Sequence, residues 1–404
     1  MKYIPVTGLG PVKEVKHNIL TKFDAALISI AEPTTSKSWS VHQIYKQVDK
    51  IFKNFNTGEE LYLDSGGFQV LTGHISANRM REFTDVYHFI LKQFSDNISK
   101  KAKIFSLDIL NKDFTEEQIH KFNDYSINCS IKLLEEKPEL KDSQLFVIQS
   151  RFPRTLEIWK ELIDKHDVFN HYTRYSFGGL VGLKKESNAK FNHFVPMTYW
   201  TFANAKRKGL EKNIKQIHML GQSSRLAIIT ATIMEAVLDF EITMDSSEIL
   251  RFSPIEAKLP LIHLDEDNEY RMAKTKDDLA QMLTNSHKDK IEGYCIDTQL
   301  KILKETGKVS NPDFVEVVCQ GIDSTVKFSK WFLEQNLDMI KDRTIFNYTE
   351  DELKEFHPVF KQGRLAKELV NNLRHMKTCQ TFLDENDFEK MDEYVMSVIK
   401  SYYE

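Results

Sequence analysis

Eight short apolar runs alternate with longer amphipathic segments over the first 250 residues, and this alternation constrains the fold more than any other feature of the chain. The runs have the length of β-strands, and from the third run onward each ends in a polar residue or a glycine. They cover residues 2–6, 25–31, 61–64, 103–108, 144–149, 174–179, 216–221 and 240–245. The segments between them have apolar residues at three- and four-residue spacing, as helices do, most clearly at 79–99, 115–136 and 224–238.

Alternation of strand and helix predicts parallel strands joined by right-handed crossovers. Eight such units predict an α/β fold of the (β/α)8 TIM barrel type, with an open doubly wound sheet as the alternative, because a strand count does not show closure. We assign residues 1–254 to the catalytic barrel. Beyond them the strand pattern fades, and residues 255–404 are predicted to be a mostly helical C-terminal region that partly completes the barrel.

Composition excludes several classes of protein. The 404 residues include 27 Phe, 14 Tyr and 4 Trp, far more core-forming mass than a disordered chain carries. No run of apolar residues is long enough to span a membrane, and four widely separated cysteines are typical of reduced thiols in the cytoplasm. The net charge of -4 argues against a protein held on nucleic acid by bulk charge alone. We therefore expect a cytoplasmic enzyme.

Polar side chains and glycine pairs stand at the predicted strand ends, where a barrel of this type has its chemistry. The polar residues are Asp64, Asp108, Gln149 and Asp245, and the glycine pairs are Gly66–Gly67 and Gly178–Gly179. Any one of these aspartates could merely cap the following helix. The whole set predicts a common cavity, because buried carboxylates need a ligand or partner and paired glycines let a flat ligand approach the backbone.

The segment LDSGGFQV at 63–70 resembles the signature of the tRNA-guanine transglycosylases. The resemblance covers roughly residues 1–250 in the right order, with a faint echo at 371–383. The other matching segments are YIPVTGLGPVKEV at 3–15, SLDIL at 106–110, VIQS at 147–150, FGGLVG at 177–182, HMLG at 218–221 and TMDSSE at 243–248. This resemblance implies a (β/α)8 enzyme that exchanges a guanine in nucleic acid for a 7-deazaguanine base.

The resemblance also implies a role for each matching residue. Asp245 is implied as the nucleophile that holds C1′ in a covalent aspartyl-nucleoside intermediate, and Asp64 as the general base that takes the N9 proton of the incoming base. The positions implied to contact the base are Ser65, Phe68, Asp108, Gln149, Gly178, Gly179, Leu180 and Leu220. Phe68 and Leu220 would sandwich the ring, and ordinary core packing is the alternative for both.

The sequence departs from the tRNA enzymes at their zinc site. Those enzymes carry CxCxxC and a distant His, whereas Cys295, Cys319 and Cys379 have no such spacing here. His375 lies near Cys379, but one pair is a weak ligand set. We predict neither a metal nor a cofactor.

Two further departures concern the substrate. The family's Pro-Thr-Arg element after the nucleophile is replaced by DSSEILRFS, which keeps Arg251. Gly182 is followed by Leu183 and Lys184 where the family has Gly-Glu. Loss of that carboxylate favours an uncharged base such as 7-cyano-7-deazaguanine (preQ0) over one with an aminomethyl group.

These departures affect metal and tRNA recognition and leave the base-contacting residues in place. The pattern resembles the DNA 7-deazaguanine transglycosylases of phages and bacterial modification clusters, which insert the base into DNA and mask it from restriction. DNA and the free base are then the expected partners, in the bacterial or host cytoplasm, with a homodimer and DNA-unwinding helper proteins as further partners and no membrane. The alternatives are a zinc-less tRNA-guanine transglycosylase and a non-catalytic nucleic-acid-binding subunit.

A DNA substrate also requires contacts to phosphates. Lys184 and Lys185 lie close to the predicted barrel mouth, and Arg207 belongs to a stretch, 191–212, that interleaves aromatic with basic residues. With Arg251, these residues are the predicted nucleic-acid contacts. An amphipathic helix with a solvated basic face is the alternative for 191–212.

Overall fold

The computed structural model describes residues 1–6, 25–35, 39–54, 60–179, 193–222, 224–246, 262–265, 267–272, 311–361 and 364–403. Eight of its strands form one sheet. They are β1 (Lys2–Pro5), β2 (Ala25–Ser29), β3 (Glu60–Asp64), β4 (Ala102–Phe105), β5 (Gln144–Gln149), β6 (Arg174–Gly178), β7 (Gln216–Met219) and β8 (Glu241–Ser246).

The order of strands in this sheet is β1-β8-β7-β6-β5-β4-β3-β2. Every pair in it whose register is described is parallel. From β2 to β8 each strand lies beside its neighbour in sequence, and β1 lies beside β8. A doubly wound sheet instead reverses its strand order part-way, so the predicted (β/α)8 barrel is confirmed.

Helices separate the strands and dominate the C-terminal region. The α-helices are α1 (Val41–Asn54), α2 (Gly67–Leu71), α3 (Met80–Gln93), α4 (Ser95–Lys101), α5 (Glu116–Glu136), α6 (Pro153–Lys165), α7 (Val168–His171), α8 (Phe194–Arg207), α9 (Arg225–Leu238), α10 (Asn311–Gln335), α11 (Leu337–Lys341), α12 (Glu350–Phe356), α13 (Leu365–Glu385) and α14 (Phe388–Tyr403). Short 3-10 helices cover Glu32–Thr35, Ala77–Arg79, Pro138–Leu140, Glu211–Asn213, Thr344–Asn347 and Pro358–Lys361. No helix in the described ranges is long and apolar enough to cross a membrane.

The chain divides into two compact units, the first comprising Met1–Asp24 and Gln222–Thr378. In this unit β1 pairs with β8, and α9 packs against α10. Buried hydrogen bonds connect α9 to the later helices, with Thr232 Oγ1 2.9 Å from Ser329 Oγ and Asn372 Nδ2 donating to Thr230 Oγ1 over 2.9 Å. The buried hydroxyls of Thr230 and Thr232 thereby have hydrogen-bond partners within the apolar interior.

The second unit comprises Ala25–Gly221 and Cys379–Glu404. It contains β2 to β7 and, from the end of the chain, α14, which packs against α8. Asp392 of α14 accepts a hydrogen bond of 2.6 Å from the Trp200 indole and forms ion pairs with Lys160 and Arg207. These contacts fasten the last helix to α6 and α8.

The observed elements differ from the predicted ones at several ends. The runs predicted at 25–31, 103–108 and 216–221 end as strands at Ser29, Phe105 and Met219. The helix predicted over 79–99 is two helices that part at Phe94, whose ring packs against Phe52 and Tyr45. Apolar periodicity does not register such a break, because the buried face continues through it.

A small antiparallel hairpin lies in the region predicted to be mostly helical. Its strands are β9 (Ile262–Leu264) and β10 (Tyr270–Met272), and β9 packs against α10. Strands of three residues are too short to show an alternating pattern in sequence. The described part of 311–403 is mostly helical, as predicted. The predicted domain boundary at 254 lies outside the described residues.

Candidate functional site

The end of β3 turns sharply into a short helix and exposes an aromatic ring. Asp64 is the last residue of the strand and is half-buried, and Ser65 after it is fully buried. The Ser65 hydroxyl has no hydrogen-bond partner among the described residues. Phe68, in the first turn of α2, is 45% exposed although it is a large apolar residue. Its predicted alternative, ordinary core packing, does not fit that exposure.

A buried carboxyl–carboxamide pair lies beside this turn. The Gln149 amide at the end of β5 donates a hydrogen bond to Asp108 Oδ2, and both residues are almost fully buried. Burial raises the pKa of the Asp108 carboxyl to about 6, and the bond from Gln149 opposes this only in part. The Gln149 carbonyl oxygen has no partner in the described residues.

Two glycines are packed directly against this pair. A Cβ atom on Gly67 would overlap the Asp108 carboxyl, and one on Gly178 would overlap the Gln149 amide. Any larger residue at either position would therefore displace a side chain of the pair. Gly179 follows with a φ of +83° and packs against Arg151. The predicted glycines, Asp108 and Gln149 thus lie together.

The end of β7 carries the other residue predicted to contact the ring face. Leu220 is half-buried, and its backbone N–H donates to the Phe177 carbonyl over 3.2 Å. Earlier in the same strand, His218 is fully buried, with its ring centroid 4.8 Å from that of Phe105 and 5.7 Å from that of Tyr62. His218 is therefore a core histidine in this unit.

Asp245, the predicted nucleophile, belongs to the first unit and is the fifth of the six residues of β8. It lies opposite Ile4 in the parallel register with β1 and is 5% exposed. A carboxyl group near the carboxyl end of a barrel strand is in the usual place for a catalytic group. Leu180, Lys184, Lys185 and Arg251 lie outside the described residues.

Arg207 and the aromatic residues before it take part in the protein's own packing. The guanidinium of Arg207 lies 3.5 Å from the Asp392 carboxylate and 5.4 Å from the centre of the Phe388 ring. On α8, the rings of Phe194, Tyr199 and Trp200 are buried. Arg207 thus has partners within its own unit, and a nucleic-acid contact by Arg207 stays a prediction.

Within the described part of the chain, no group of three or more His, Cys, Asp or Glu side chains is arranged to hold a metal ion. Cys379 is buried, which raises the pKa of its thiol. His375 is largely buried on the same helix, and burial lowers its pKa. Cys295 lies outside the described residues, as does the side chain of Cys319.

Several side chains that support the site were not predicted from sequence. Ser150, directly after Gln149, donates to the Gly178 carbonyl over 3.2 Å and lies 3.2 Å from His193 Nε2. Asn123 and Ser126 of α5 bond to the backbone around Asp108. The sequence did carry a signal for Asn123 and Ser126, because polar residues on the buried face of a predicted helix need hydrogen-bond partners.

Comparison with known proteins gives no further assignment. No model of a known protein family matches the chain, and no curated protein matches it. The assignment of a function therefore depends on the site's own residues and geometry.

Proposed function

We propose that the chain is a transglycosylase that exchanges guanine in DNA for a 7-deazaguanine base, with 7-cyano-7-deazaguanine as the preferred incoming base. The observation that carries the proposal is the buried Asp108–Gln149 pair, against which Gly67 and Gly178 are packed. Beside it, the Ser65 hydroxyl and the Gln149 carbonyl oxygen are buried and have no partner within the described residues.

The unpaired atoms favour a ligand with a polar edge. Leaving a buried donor or acceptor unsatisfied costs about 1–3 kcal/mol, so a ligand that pairs these atoms gains that energy on binding. Guanine presents N–H donors at N1 and N2, which suit the oxygens of Asp108 and Gln149. Adenine presents an acceptor at N1 and would oppose the Asp108 carboxylate. Guanine and 7-deazaguanine share the favourable edge, so one site can hold the outgoing and the incoming base in turn.

The exposed ring of Phe68 favours a flat ligand. An aromatic ring that is 45% exposed beside the buried polar pair offers a face on which a base can stack. Stacking of a base on an aromatic side chain contributes about 1–3 kcal/mol and tolerates any base, so it supplies affinity while the polar edge supplies selectivity.

The proposed reaction is a double displacement at C1′ of the deoxyribose. An Asp245 carboxylate oxygen attacks C1′, the C1′–N9 bond breaks, and its electron pair leaves with guanine, which takes up at N9 the proton that Asp64 later regains from the incoming base. The incoming base then loses its corresponding ring N–H proton to Asp64, its nitrogen attacks C1′, and the ester bond to Asp245 breaks. Two inversions retain the configuration at C1′, and the proton lost by one base balances that gained by the other.

DNA is proposed over tRNA because the tRNA-specific elements are missing from the sequence. The CxCxxC spacing and the Pro-Thr-Arg element after Asp245 are both absent. A base in duplex DNA must be flipped out of the stack before it can enter a buried site, at a cost of a few kcal/mol. DNA that is already unpaired should therefore react faster than a duplex.

An exchange assay tests this proposal. The purified protein is incubated with isotope-labelled 7-cyano-7-deazaguanine and duplex DNA, single-stranded DNA or bulk tRNA. We expect label in DNA, and we expect Asp245→Asn to abolish it. Asp142→Asn is the control and should retain the exchange, because Asp142 lies just before β5, at the opposite end of that strand from Gln149.

The other outcomes of the assay each contradict part of the proposal. Label only in tRNA would show that the substrate is tRNA. Binding of the base and of DNA without any label transfer would favour a non-catalytic binding subunit. Label that survives Asp245→Asn would remove Asp245 from the mechanism.

A further inference from the structure

The segment that carries Asp108 has no regular secondary structure although it is completely buried. Strand β4 ends at Phe105, and residues 106–111 follow it inside the unit without forming helix or strand. The Ser106 N–H still donates to the Leu145 carbonyl of β5 over 2.7 Å. Beyond Ser106 the buried backbone N–H and C=O groups must find partners outside a sheet or helix. The identity of those partners decides how Asp108 is oriented.

Two polar side chains of α5 supply partners on both sides of Asp108. Asn123 accepts a hydrogen bond of 2.8 Å from the Ile109 N–H and donates one of 2.7 Å to the Ile109 carbonyl. Ser126, one turn further along α5, donates to the Leu107 carbonyl over 3.1 Å. The Asn123 amide thus bonds both backbone groups of Ile109, as a neighbouring strand would.

The departure from strand geometry is what brings Asp108 to its contacts. Its carboxyl lies against Gly67 and accepts the hydrogen bond from Gln149. Asn123 is itself only 1% exposed, and a further bond from its amide to the Ile119 carbonyl, 2.7 Å, holds its rotamer. A buried, fully bonded amide of this kind defines the position of the adjacent peptide closely.

We propose that Asn123 is a positioning residue that sets the orientation of the Asp108 carboxyl by holding both peptide groups of Ile109. Ser126 assists by holding the Leu107 carbonyl. The consequence for base recognition depends on the proposed function, whereas the constraint on residues 106–111 does not. The two parts can therefore be tested separately.

A graded series along one face of α5 tests the inference. Asn123→Leu keeps the approximate shape of the side chain and removes its bonds to Ile109, and Ser126→Ala removes only the bond to Leu107. Ser130→Ala is the matched control on the same helix, because Ser130 accepts a hydrogen bond of 3.0 Å from the Gln144 amide of β5. Each variant loses buried hydrogen bonding.

Two measurements are made on each variant and on the wild-type chain. The first is hydrogen–deuterium exchange of the peptide covering 106–111, read by mass spectrometry. The second is the affinity for 7-cyano-7-deazaguanine and for guanine, by calorimetry. We expect faster exchange and an affinity loss of about tenfold or more for Asn123→Leu, because small displacements of a binding group have effects of this size. Ser126→Ala should show smaller changes in the same direction, and Ser130→Ala neither.

The outcomes separate this inference from the proposed function. If the wild-type chain binds neither base while Asn123→Leu loosens 106–111 selectively, the proposed function fails and the positioning role stands. Unchanged exchange and unchanged affinity in Asn123→Leu would overturn the inference, as would equal effects in Ser130→Ala. If Asn123→Leu does not fold, the comparison of Ser126→Ala with Ser130→Ala decides in the same way.

Discussion

Asp108 combines a cost in stability with a proposed role in base recognition. Burial raises the pKa of its carboxyl to about 6, so at neutral pH the protein holds a charged group in a poorly solvated place. A negative charge suits the N–H edge of the proposed base. Residues that bind or react are often kept at such a cost.

The first prediction concerns Asp108→Asn. Burial raises the pKa of the Asp108 carboxyl from 3.8 to about 6 in the folded protein. Its neutral form therefore stabilises the fold fully below pH 4, and this contribution to stability is lost as the pH rises through about 6. Asparagine has no carboxyl group to ionise, so Asp108→Asn should raise the free energy of unfolding by about 1–3 kcal/mol at pH 7 and leave it unchanged at pH 4. Urea unfolding at the two pH values measures this.

A control variant and an affinity measurement complete this test. Asp142→Asn should show no gain at pH 7, because Lys215 lowers the pKa of the Asp142 carboxyl. Asp108→Asn should also lose affinity for 7-cyano-7-deazaguanine. A variant that is no more stable than wild type at pH 7 would contradict the assigned pKa.

The second prediction concerns Gly67→Ala. The added methyl group would overlap the Asp108 carboxyl and displace it, so affinity for the base should fall by about tenfold or more. Gly209→Ala is the control, because a Cβ there meets no atom within 4 Å although its φ of +70° makes the change strained. Calorimetric binding and thermal unfolding of both variants check this. Equal affinity in Gly67→Ala and wild type would show that the contact does not matter.

The sequence predicted the candidate site residues at the strand ends, but it did not predict the side chains that hold those residues in place. Asp64 and Gln149 end their strands as predicted, whereas the hydrogen bond between Gln149 and Asp108 was not predicted. Asn123 was not predicted, because its partners are backbone groups 14 residues away that only the folded chain brings close.

For the secondary-structure elements, the sequence predicted the position of each strand in the sheet better than the residue at which the strand ends. Strand β5 has the predicted bounds, 144–149, whereas β4 ends three residues before the predicted Asp108. The run from 104 to 110 is mostly apolar and is buried throughout, which is the same pattern that a buried strand gives. Its departure from the sheet depends on hydrogen bonds from α5, and these leave no local signal.

The third prediction concerns the attachment of α14. Asp392 accepts from the Trp200 indole and pairs with Lys160 and Arg207, so Asp392→Ala leaves a buried indole N–H without a partner. We expect a loss of about 1–3 kcal/mol in unfolding free energy, measured in urea. The neighbouring, exposed Glu393→Ala should change it by less than about 0.5 kcal/mol. Equal effects would mean that the cluster does not fasten α14.

At the level of the whole molecule, the alternating pattern was sufficient to predict the fold class. Sequence could not show closure, which depends on the pairing of β1 with β8. It also did not reveal a polar network at the amino ends of the strands in the second unit. There the Tyr62 hydroxyl donates to Glu60 and accepts from Lys103 and from Gln216, while Arg174 donates to Gln216.

The fourth prediction separates this network from the ligand site. Tyr62→Phe removes the central hydroxyl and with it the buried hydrogen bond from the Gln216 amide, so stability should fall by about 1–3 kcal/mol. Affinity for the base should not change, because the amino ends of barrel strands serve stability and the carboxyl ends serve function. Thermal unfolding and calorimetry measure the two effects. A loss of affinity at unchanged stability would contradict this division.

The central claim is that Asp245 forms a covalent bond to the deoxyribose of DNA. The most direct test is to incubate the protein with single-stranded guanine-containing DNA in the absence of free base, denature it, and map any protein–DNA adduct by mass spectrometry. The account predicts an adduct on the peptide that contains Asp245, absent in Asp245→Asn, which disappears when 7-cyano-7-deazaguanine is added before denaturation. Base exchange into DNA with no adduct, or with an adduct on another residue, would contradict it.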